Sequence, residues 1–342
     1  MSMGARARYD RRTMALIFAG SAAIGALVGW FVGGRDAGAI GQGVATGLLI
    51  ALGLAALNYL QQRSWLQRVA RWPMLGRLLA MSLLYGLVIV SAIRIADAVV
   101  TRTYVDVRMS DPALFRIVLV SVAAAIAVNL VLMIVDMLGP RALLNFVTGR
   151  YHRPRVEPRF FLFIDLADST ALAERLGAVA FLRLLDAWLG EVAVAAASCK
   201  GEIYKYVGDQ AIVTWKAAEG AAEGRAVACA PLLRAALAKQ AARYRAEFGT
   251  VPEFRAALHF GPAVVGELGS VKREIAFLGD TVNVAARLEQ HARDIGRHYL
   301  ISAEALAALA LPPSLKAEAL QEATFRGRAQ PTRIFAIEES AA

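Results

Sequence analysis

The sequence is poor in cysteine, histidine and charged residues, and it contains no internal repeats or low-complexity tracts. Its two cysteines, Cys199 and Cys229, are too few for a disulfide framework or a cysteine zinc site. Charged residues make up 19% of the 342 residues, whereas 57% are hydrophobic and the mean hydropathy is +0.48. Soluble globular domains are closer to half apolar, so the surplus predicts a segment that contacts lipid.

The hydrophobic surplus lies in the first 140 residues, in four runs. Each run approaches the roughly 20 residues that a helix needs to cross the hydrocarbon core. We therefore predict an N-terminal four-helix transmembrane bundle in residues 1–138, with spans at about 14–34, 40–60, 76–100 and 115–138. Arginine is enriched before the first run, between the second and third, and after the fourth. The positive-inside rule then predicts a multi-pass inner-membrane protein with both termini and the C-terminal domain in the cytoplasm.

The formal net charge of +10 has the same explanation. In a soluble protein such an excess would suggest nucleic acid as a partner. Here much of the arginine flanks the predicted spans, so we predict membrane lipid and not nucleic acid as its partner.

Glycines recur in the first predicted span, at Gly25, Gly29 and Gly33. This small-xxx-small ladder suits either dimerisation of the membrane region or close packing inside its own bundle. The sequence leaves both roles open. It also leaves open whether the region is only an anchor or a sensor that acts through the linker that follows.

Strands and helices alternate after a basic, proline-punctuated linker at 139–159. FFLFIDL reads as a buried strand, and EIYKYV and QAIVTW as the arms of a hairpin. Helical patterns are expected over about 169–198, 219–248 and 280–295. We predict an α+β domain at 160–338.

Two aspartates are the first candidate site residues. Asp165 ends the strand FFLFIDL just before a helix start, and Asp209 lies at the turn of the hairpin. A carboxylate at the end of a buried strand is either solvated or bound. Together the two can hold divalent cations against a triphosphate. Taken alone, each aspartate could also be an ordinary residue of a turn or strand end. Lys205, which lies near Asp209, could form a surface salt bridge with it.

The segment LGDTVNVAARLE carries the second candidate site. Asn283 and Arg287 are one helical turn apart on the same face of the predicted helix. An amide beside a guanidinium suits an oxygen-rich, charged ligand. The alternative is a solvated helix face.

Four segments together, FIDLADSTALAERLG, EIYKYVGDQ, FRAALHFGPAVVGELGS and FLGDTVNVAARLE, resemble the catalytic domain of class III nucleotide cyclases in order and spacing. The resemblance runs from about Phe160 to Phe335, and the linker resembles that of a membrane-anchored bacterial group in this class. It implies a ferredoxin-like βαββαβ core. It also implies a head-to-tail homodimer with two shared active sites.

The same resemblance implies roles for individual residues. Asp165, Leu166 and Asp209 would form a site for two Mg²⁺ or Mn²⁺ ions. Asn283 would orient the ribose, and Arg287 would stabilise charge on the α-phosphoryl group in the transition state. The implied reaction is attack of the 3′-hydroxyl of ATP on its α-phosphate, which gives cyclic AMP and pyrophosphate.

The remaining roles concern the substrate. Lys205 and Ala276 would face the base, and Arg326 or, second to it, Arg328 would bind the terminal phosphates. A lysine can donate to N1 of adenine, whereas the N1–H of guanine would face it unfavourably. The class usually has aspartate or threonine where this chain has Ala276, which puts strict specificity in doubt.

The leading hypothesis is therefore a membrane-bound adenylyl cyclase, an enzyme. A guanylyl or dual-specificity cyclase is the alternative within the class. A non-catalytic membrane receptor with a nucleotide-sensing module, or a transporter with a regulatory domain, is the alternative outside it. We expect His259, on a predicted strand, to be a packed core residue and not a catalytic base.

Overall fold

The structure, a computed structural model, describes residues 11–33, 36–60, 72–100, 119, 123, 126, 130, 134, 140–271, 273–323 and 331–339. The chain divides into two compact units, one within residues 5–143 and the other from residue 144 onward.

Long apolar helices make up the described part of the first unit. They are α1 Arg11–Gly33, α2 Ala37–Leu60 and α3 Met74–Val100, and α4 Pro140–Val147 follows. Among the described residues two segments are long and apolar enough to cross a membrane, Ala37–Leu57 and Leu78–Ala96, and α1 adds a shorter apolar stretch, Phe18–Phe31. Most of the predicted span at 115–138 lies outside the described residues. The four-helix bundle therefore stays a prediction.

Glycines bring α1 and α2 into backbone contact. A Cβ at Gly25 would overlap the carbonyl oxygen of Gly43, and one at Gly29 would overlap that of Ala39. Only residues without bulky side chains allow two helices to approach so closely. Within the described residues, the ladder therefore packs α1 against a helix of its own chain.

One eight-stranded sheet organises the second unit. Its strands are β1 Arg155–Leu166, β2 Glu202–Val207, β3 Gln210–Lys216, β4 Phe254–Leu268, β5 Glu274–Leu278, β6 Tyr299–Ser302, β7 Leu315–Ala319 and β8 Ile334–Glu339. Their order is β2-β3-β1-β4-β6-β8-β7, with β5 paired to β4.

Helices cover both faces of this sheet. They are α5 Ser169–Leu176, α6 Ala178–Ser198, α7 Ala217–Ala221, α8 Arg225–Lys239, α9 Ala241–Phe248, α10 Asp280–Asp294 and α11 Ala303–Ala307. The first four strands and their connecting helices run β1-α-β2-β3-α-β4, and the spatial order β2-β3-β1-β4 is that of a ferredoxin-like unit. The predicted α+β domain is confirmed.

Strand β1 is buried on both faces because its side chains alternate between two cores. Phe160 and Ile164 belong to the larger core, which includes residues of α6 and α8. Phe161 and Phe163 belong to a second core, on the side of α10. Asp165 continues the alternation of Phe161 and Phe163, so its carboxylate lies on the α10 side of the sheet.

The linker enters this second core through Tyr151, which is 1% exposed. Its hydroxyl accepts a hydrogen bond from the buried Arg159 at 3.1 Å. Arg159 also donates to Glu157 at 3.1 Å and lies over the ring of Phe277, 4.7 Å from its centroid. The segment after α4 is thus held to β1 and β5 by a buried cation.

Candidate active site

Asp165 is the buried acid of the site. It is 5% exposed, and Nη2 of Arg293 donates to its Oδ2 at 2.6 Å. Burial raises the pKa of Asp165, and the negative charge of Asp209 raises it further, against the opposing effect of Arg293. The carboxylate therefore lies in surroundings that favour a compensating cation.

Asp209 lies beside Asp165 because of the hairpin geometry. It follows Gly208, whose φ of 62° makes the tight turn, and precedes Gln210, the Cα partner of Asp165 across the β1–β3 ladder. Leu166, the third predicted contributor, is 1% exposed and its side chain belongs to the larger core. Only its main chain can therefore take part in a site on the α10 side.

A second buried acid, Glu289, was not among the predicted site residues. It lies on α10, and its Oε2 accepts a hydrogen bond from Nε2 of Gln210 at 3.3 Å. Its Oε1 is buried with no hydrogen-bond partner among the described residues, and Nη2 of Arg293 is 3.7 Å away. Burial and then the charge of Asp165 raise the pKa of Glu289 to about 7.

The two aspartates fit a hard divalent cation. Among the described residues no group of three or more His, Cys, Asp or Glu side chains could hold a metal ion by itself. Two carboxylates and a main-chain carbonyl are nevertheless the oxygen ligands that Mg²⁺ prefers, and phosphates of a substrate commonly supply the rest. Burial first, and then the negative charge of Asp209, raise the pKa of Asp165, and a bound cation would offset both effects.

Lys205 lies on β2, an edge strand of the sheet. The β2–β3 register shifts between Ile203 and Lys205, so the strand bulges just before the lysine. Nζ of Lys205 is 3.4 Å from Oε1 of Glu274 on β5, and both side chains are about half exposed. Glu274 was not predicted, because nothing in the sequence pairs two residues that are 69 positions apart.

Ala276 lies two residues after Glu274 on the same face of β5 and is buried. The neighbouring pair Tyr204 and Phe277 holds β2 against β5, since the amide of Phe277 donates to the hydroxyl of Tyr204 and the rings meet edge to face at 4.7 Å. The structure thus brings Lys205 and Ala276, the two predicted base contacts, to one side of the sheet.

Asn283 and Arg287 lie on the first turns of α10, Asn283 exposed and Arg287 half-buried. Within the described part of the chain no hydrogen bond or ion pair joins either side chain to Asp165 or Asp209. Arg326 and Arg328 lie outside the described residues. His259 is buried, with Nδ1 2.7 Å from Oγ of Ser302, as expected for a core residue.

Comparison with known proteins covers the unit that carries these residues. Residues 153–339 match the family described as the adenylate and guanylate cyclase catalytic domain. "Adenylate cyclase 2" of Rhizobium meliloti (strain 1021) is 39% identical over 207 residues, which cover 60% of this chain and 57% of that protein. "Adenylate cyclase 1" of the same organism is 28% identical over 179 residues, which cover 52% and 27%.

This chain therefore spans little more than half of the first relative and about a quarter of the second. Among solved structures, a bacterial light-regulated adenylyl cyclase shares the fold, with a TM-score of 0.54, 16% identity, and coverage of 67% of this chain and 66% of that chain. The family match includes every predicted site residue and more than half of the sequence. On that ground the chain belongs to the adenylate and guanylate cyclase catalytic domain family.

Proposed function

We propose that the protein is a membrane-anchored adenylyl cyclase that converts ATP to cyclic AMP and pyrophosphate. The observation that carries the proposal is the buried carboxylate of Asp165 beside Asp209, in a chain of the cyclase family. Burying the carboxylate of Asp165 next to the negative charge of Asp209 lowers the stability of the fold. A bound ligand that needs both carboxylates best explains why they lie together.

Asp165, Asp209 and the main chain of Leu166 would hold two Mg²⁺ or Mn²⁺ ions. When bound, such ions lower the pKa of the ribose hydroxyl and neutralise the triphosphate. The sheet fixes the position of Asp165, because β1 is hydrogen-bonded on both sides, to β3 and to β4.

The other residues act on the nucleotide. Asn283 would orient the ribose so that its 3′-oxygen attacks the α-phosphorus in line, and pyrophosphate leaves from the opposite side. Arg287 would stabilise the charge that develops on the α-phosphoryl oxygens. Arg326 would bind the terminal phosphates.

A homodimer would complete each site. Among the described residues, no hydrogen bond or ion pair joins Asn283 or Arg287 to the aspartates of the same chain. We therefore assign these two residues and Lys205 to the site of a head-to-tail partner. Exposed apolar residues on three strands of the sheet support such an interface. They are Tyr206, Val207, Val264, Leu268 and Leu278.

The contact between Lys205 and Glu274 favours ATP. The carboxylate of Glu274 lies 3.4 Å from the ammonium group, on the strand that carries Ala276. Lys205 would donate to N1 of adenine from this position. Ala276 itself offers no hydrogen bond, and this favours dual specificity as the second candidate function. A cyclase-like nucleotide sensor without catalysis is the remaining alternative.

The N-terminal unit would anchor the enzyme. Two helices in its described part are long and apolar enough to cross a membrane. Together with the arginine distribution, this supports a multi-pass protein of the inner membrane with both termini and the catalytic domain in the cytoplasm.

The test is a nucleotide cyclase assay on the full-length protein in membranes, with Mn²⁺ and either ATP or GTP. We expect cyclic AMP from ATP, and a loss of about a hundredfold or more in Asp165→Ala. The control is Asp186→Ala, which removes an exposed aspartate of α6. Cyclic GMP as the main product would contradict the role of Lys205, and nucleotide binding without any product would favour the sensor.

A further inference from the structure

Arg293, near the C-terminal end of α10, contacts the candidate metal site but has no role in the proposed reaction. Its Nη2 lies 2.6 Å from Oδ2 of Asp165 and 3.7 Å from Oε1 of Glu289. One guanidinium thus stands between two acids on the same side of the sheet.

The three side chains differ sharply in exposure. The side chain of Arg293 is 45% exposed, whereas those of Asp165 and Glu289 are 7% and 4% exposed. The acids are fixed by strand and helix packing, while the arginine reaches in from the surface. Arg293 is therefore the member of the group that can move at little cost.

The acceptors are also unequal. Asp165 receives a short charge-assisted hydrogen bond from Arg293, whereas Oε1 of Glu289 has no hydrogen-bond partner in the described part of the chain. A buried carboxylate oxygen without a donor is costly. Glu289 is thus an open acceptor next to the position that Arg293 occupies.

A divalent cation and Arg293 would compete for Asp165. Both are positive, and both need the same buried carboxylate, whose charge one guanidinium already offsets. A cation bound there would repel the arginine, and Oε1 of Glu289, 3.7 Å from Nη2, is an acceptor within its reach.

We propose that Arg293 is an internal counter-ion that occupies Asp165 while the metal site is empty and transfers to Glu289 when a divalent cation binds. This inference rests on the proposed metal site at Asp165 and Asp209. It makes Arg293 a positioning residue that lowers metal affinity and stabilises the metal-free protein.

The test measures Mn²⁺ binding to the full-length protein by calorimetry, without nucleotide, in wild type and Arg293→Met. We expect the variant to bind Mn²⁺ about three- to tenfold more tightly, because the competing cation is gone. Its unfolding temperature in EDTA should fall, because Asp165 then loses its hydrogen-bonded counter-ion and keeps only the weaker influence of Arg255. Arg293→Gln serves if the methionine variant does not fold. Arg297→Met is the matched control, since Arg297 pairs with Glu318 and Glu338 instead.

Glu289→Gln distinguishes the transfer of Arg293 to Glu289 from a direct effect of the Glu289 charge on Mn²⁺ binding. It removes the negative charge of the second acceptor and leaves only a neutral amide oxygen. Arg293 should then stay on Asp165, and Mn²⁺ should bind more weakly than in wild type. In the Arg293→Met background the same change should have little effect, because there is no arginine to relocate. An equal loss of affinity in both backgrounds would mean that Glu289 acts only through its own charge, and would overturn the transfer.

The outcomes also distinguish this inference from the proposed function. If wild type binds Mn²⁺ and Asp165→Asn does not, the metal site stands. Unchanged or weaker binding in Arg293→Met would then overturn the counter-ion role alone. If wild type binds no Mn²⁺, the result contradicts both the proposed metal site and the counter-ion role of Arg293.

Discussion

Glu289 links the burial of one side chain to the pH dependence of the whole domain. Burial beside Asp165 raises its pKa from an ordinary value of 4.5 to about 7. Because the folded value lies above the unfolded one, the folded state favours the protonated acid. The domain therefore loses stability as the pH rises from about 4.5 to about 7, and the loss persists above that range.

We expect Glu289→Gln to be more stable than wild type at pH 8 in EDTA, by about 1–3 kcal/mol, and about equal to it at pH 5. The amide cannot ionise, so it avoids the cost of a buried charge. Urea unfolding at both pH values, followed by the fluorescence of the buried Trp188 and Trp215, measures the difference. A gain of the same size at pH 5 would show that ionisation is not its cause.

Individual site residues could be predicted only where they lie in segments with a local pattern or a family resemblance. Asp165 ends a strand and Asp209 lies at the turn of a hairpin that the sequence pattern predicts, and the β1–β3 register brings the two close together. Arg293 lies 128 positions from Asp165, and Glu289 is adjacent to the site only because α10 crosses β1. Such contacts depend on strand order and helix placement, which no local pattern encodes.

At the scale of elements, the sequence predicts strands and helix positions better than helix ends. The helix expected over 169–198 is interrupted at Gly177, whose φ of 74° ends α5 and starts α6. The helix expected over 219–248 is broken at Gly224 and again at Gln240. Apolar periodicity continues across such breaks, since each piece still faces the same core, so the pattern alone does not show them.

The contact between α1 and α2 gives a prediction at this scale. We expect Gly43→Ala to lower the unfolding temperature of the full-length protein in detergent, because its methyl group would overlap the carbonyl oxygen of Gly25. Forcing the two backbones apart should cost about 1–3 kcal/mol.

Gly41→Ala is the matched control, two residues away on α2. Nothing described lies within 4 Å of a Cβ at Gly41, so this variant gains the helix propensity of alanine without an overlap. We expect it to equal or exceed wild type in unfolding temperature. Equal effects of the two substitutions would mean that the α1–α2 contact does not depend on the glycine.

At the scale of the whole molecule, the proposed homodimer makes a quantitative prediction. Asp165→Ala and Asn283→Ala should each be inactive alone, because each would damage both sites of its homodimer. In a heterodimer one site receives the intact aspartate and the intact asparagine, while the other receives both substitutions. If the chains pair at random, half of the dimers carry one active site of two, or about a quarter of wild-type activity.

The measurement is cyclic AMP formation in membranes from cells that express both variants, with each variant alone as the control. Co-expression of Asp165→Ala with Asp209→Ala should restore nothing, because both substitutions affect the same half of the site. Recovery in that second pair would contradict the assignment of the two aspartates to one chain.

The two ends of the site differ in how firmly the fold holds them. The part of β1 that carries Asp165, Arg159 to Asp165, pairs with both β3 and β4 and is buried on both faces. β2, which carries Lys205, has a neighbour on one side only and bulges before the lysine. Substitutions on β2 therefore disturb fewer packed neighbours than substitutions on β1. If the proposed function holds, changes in nucleotide preference through β2 should therefore cost less folding stability than changes in the metal site on β1.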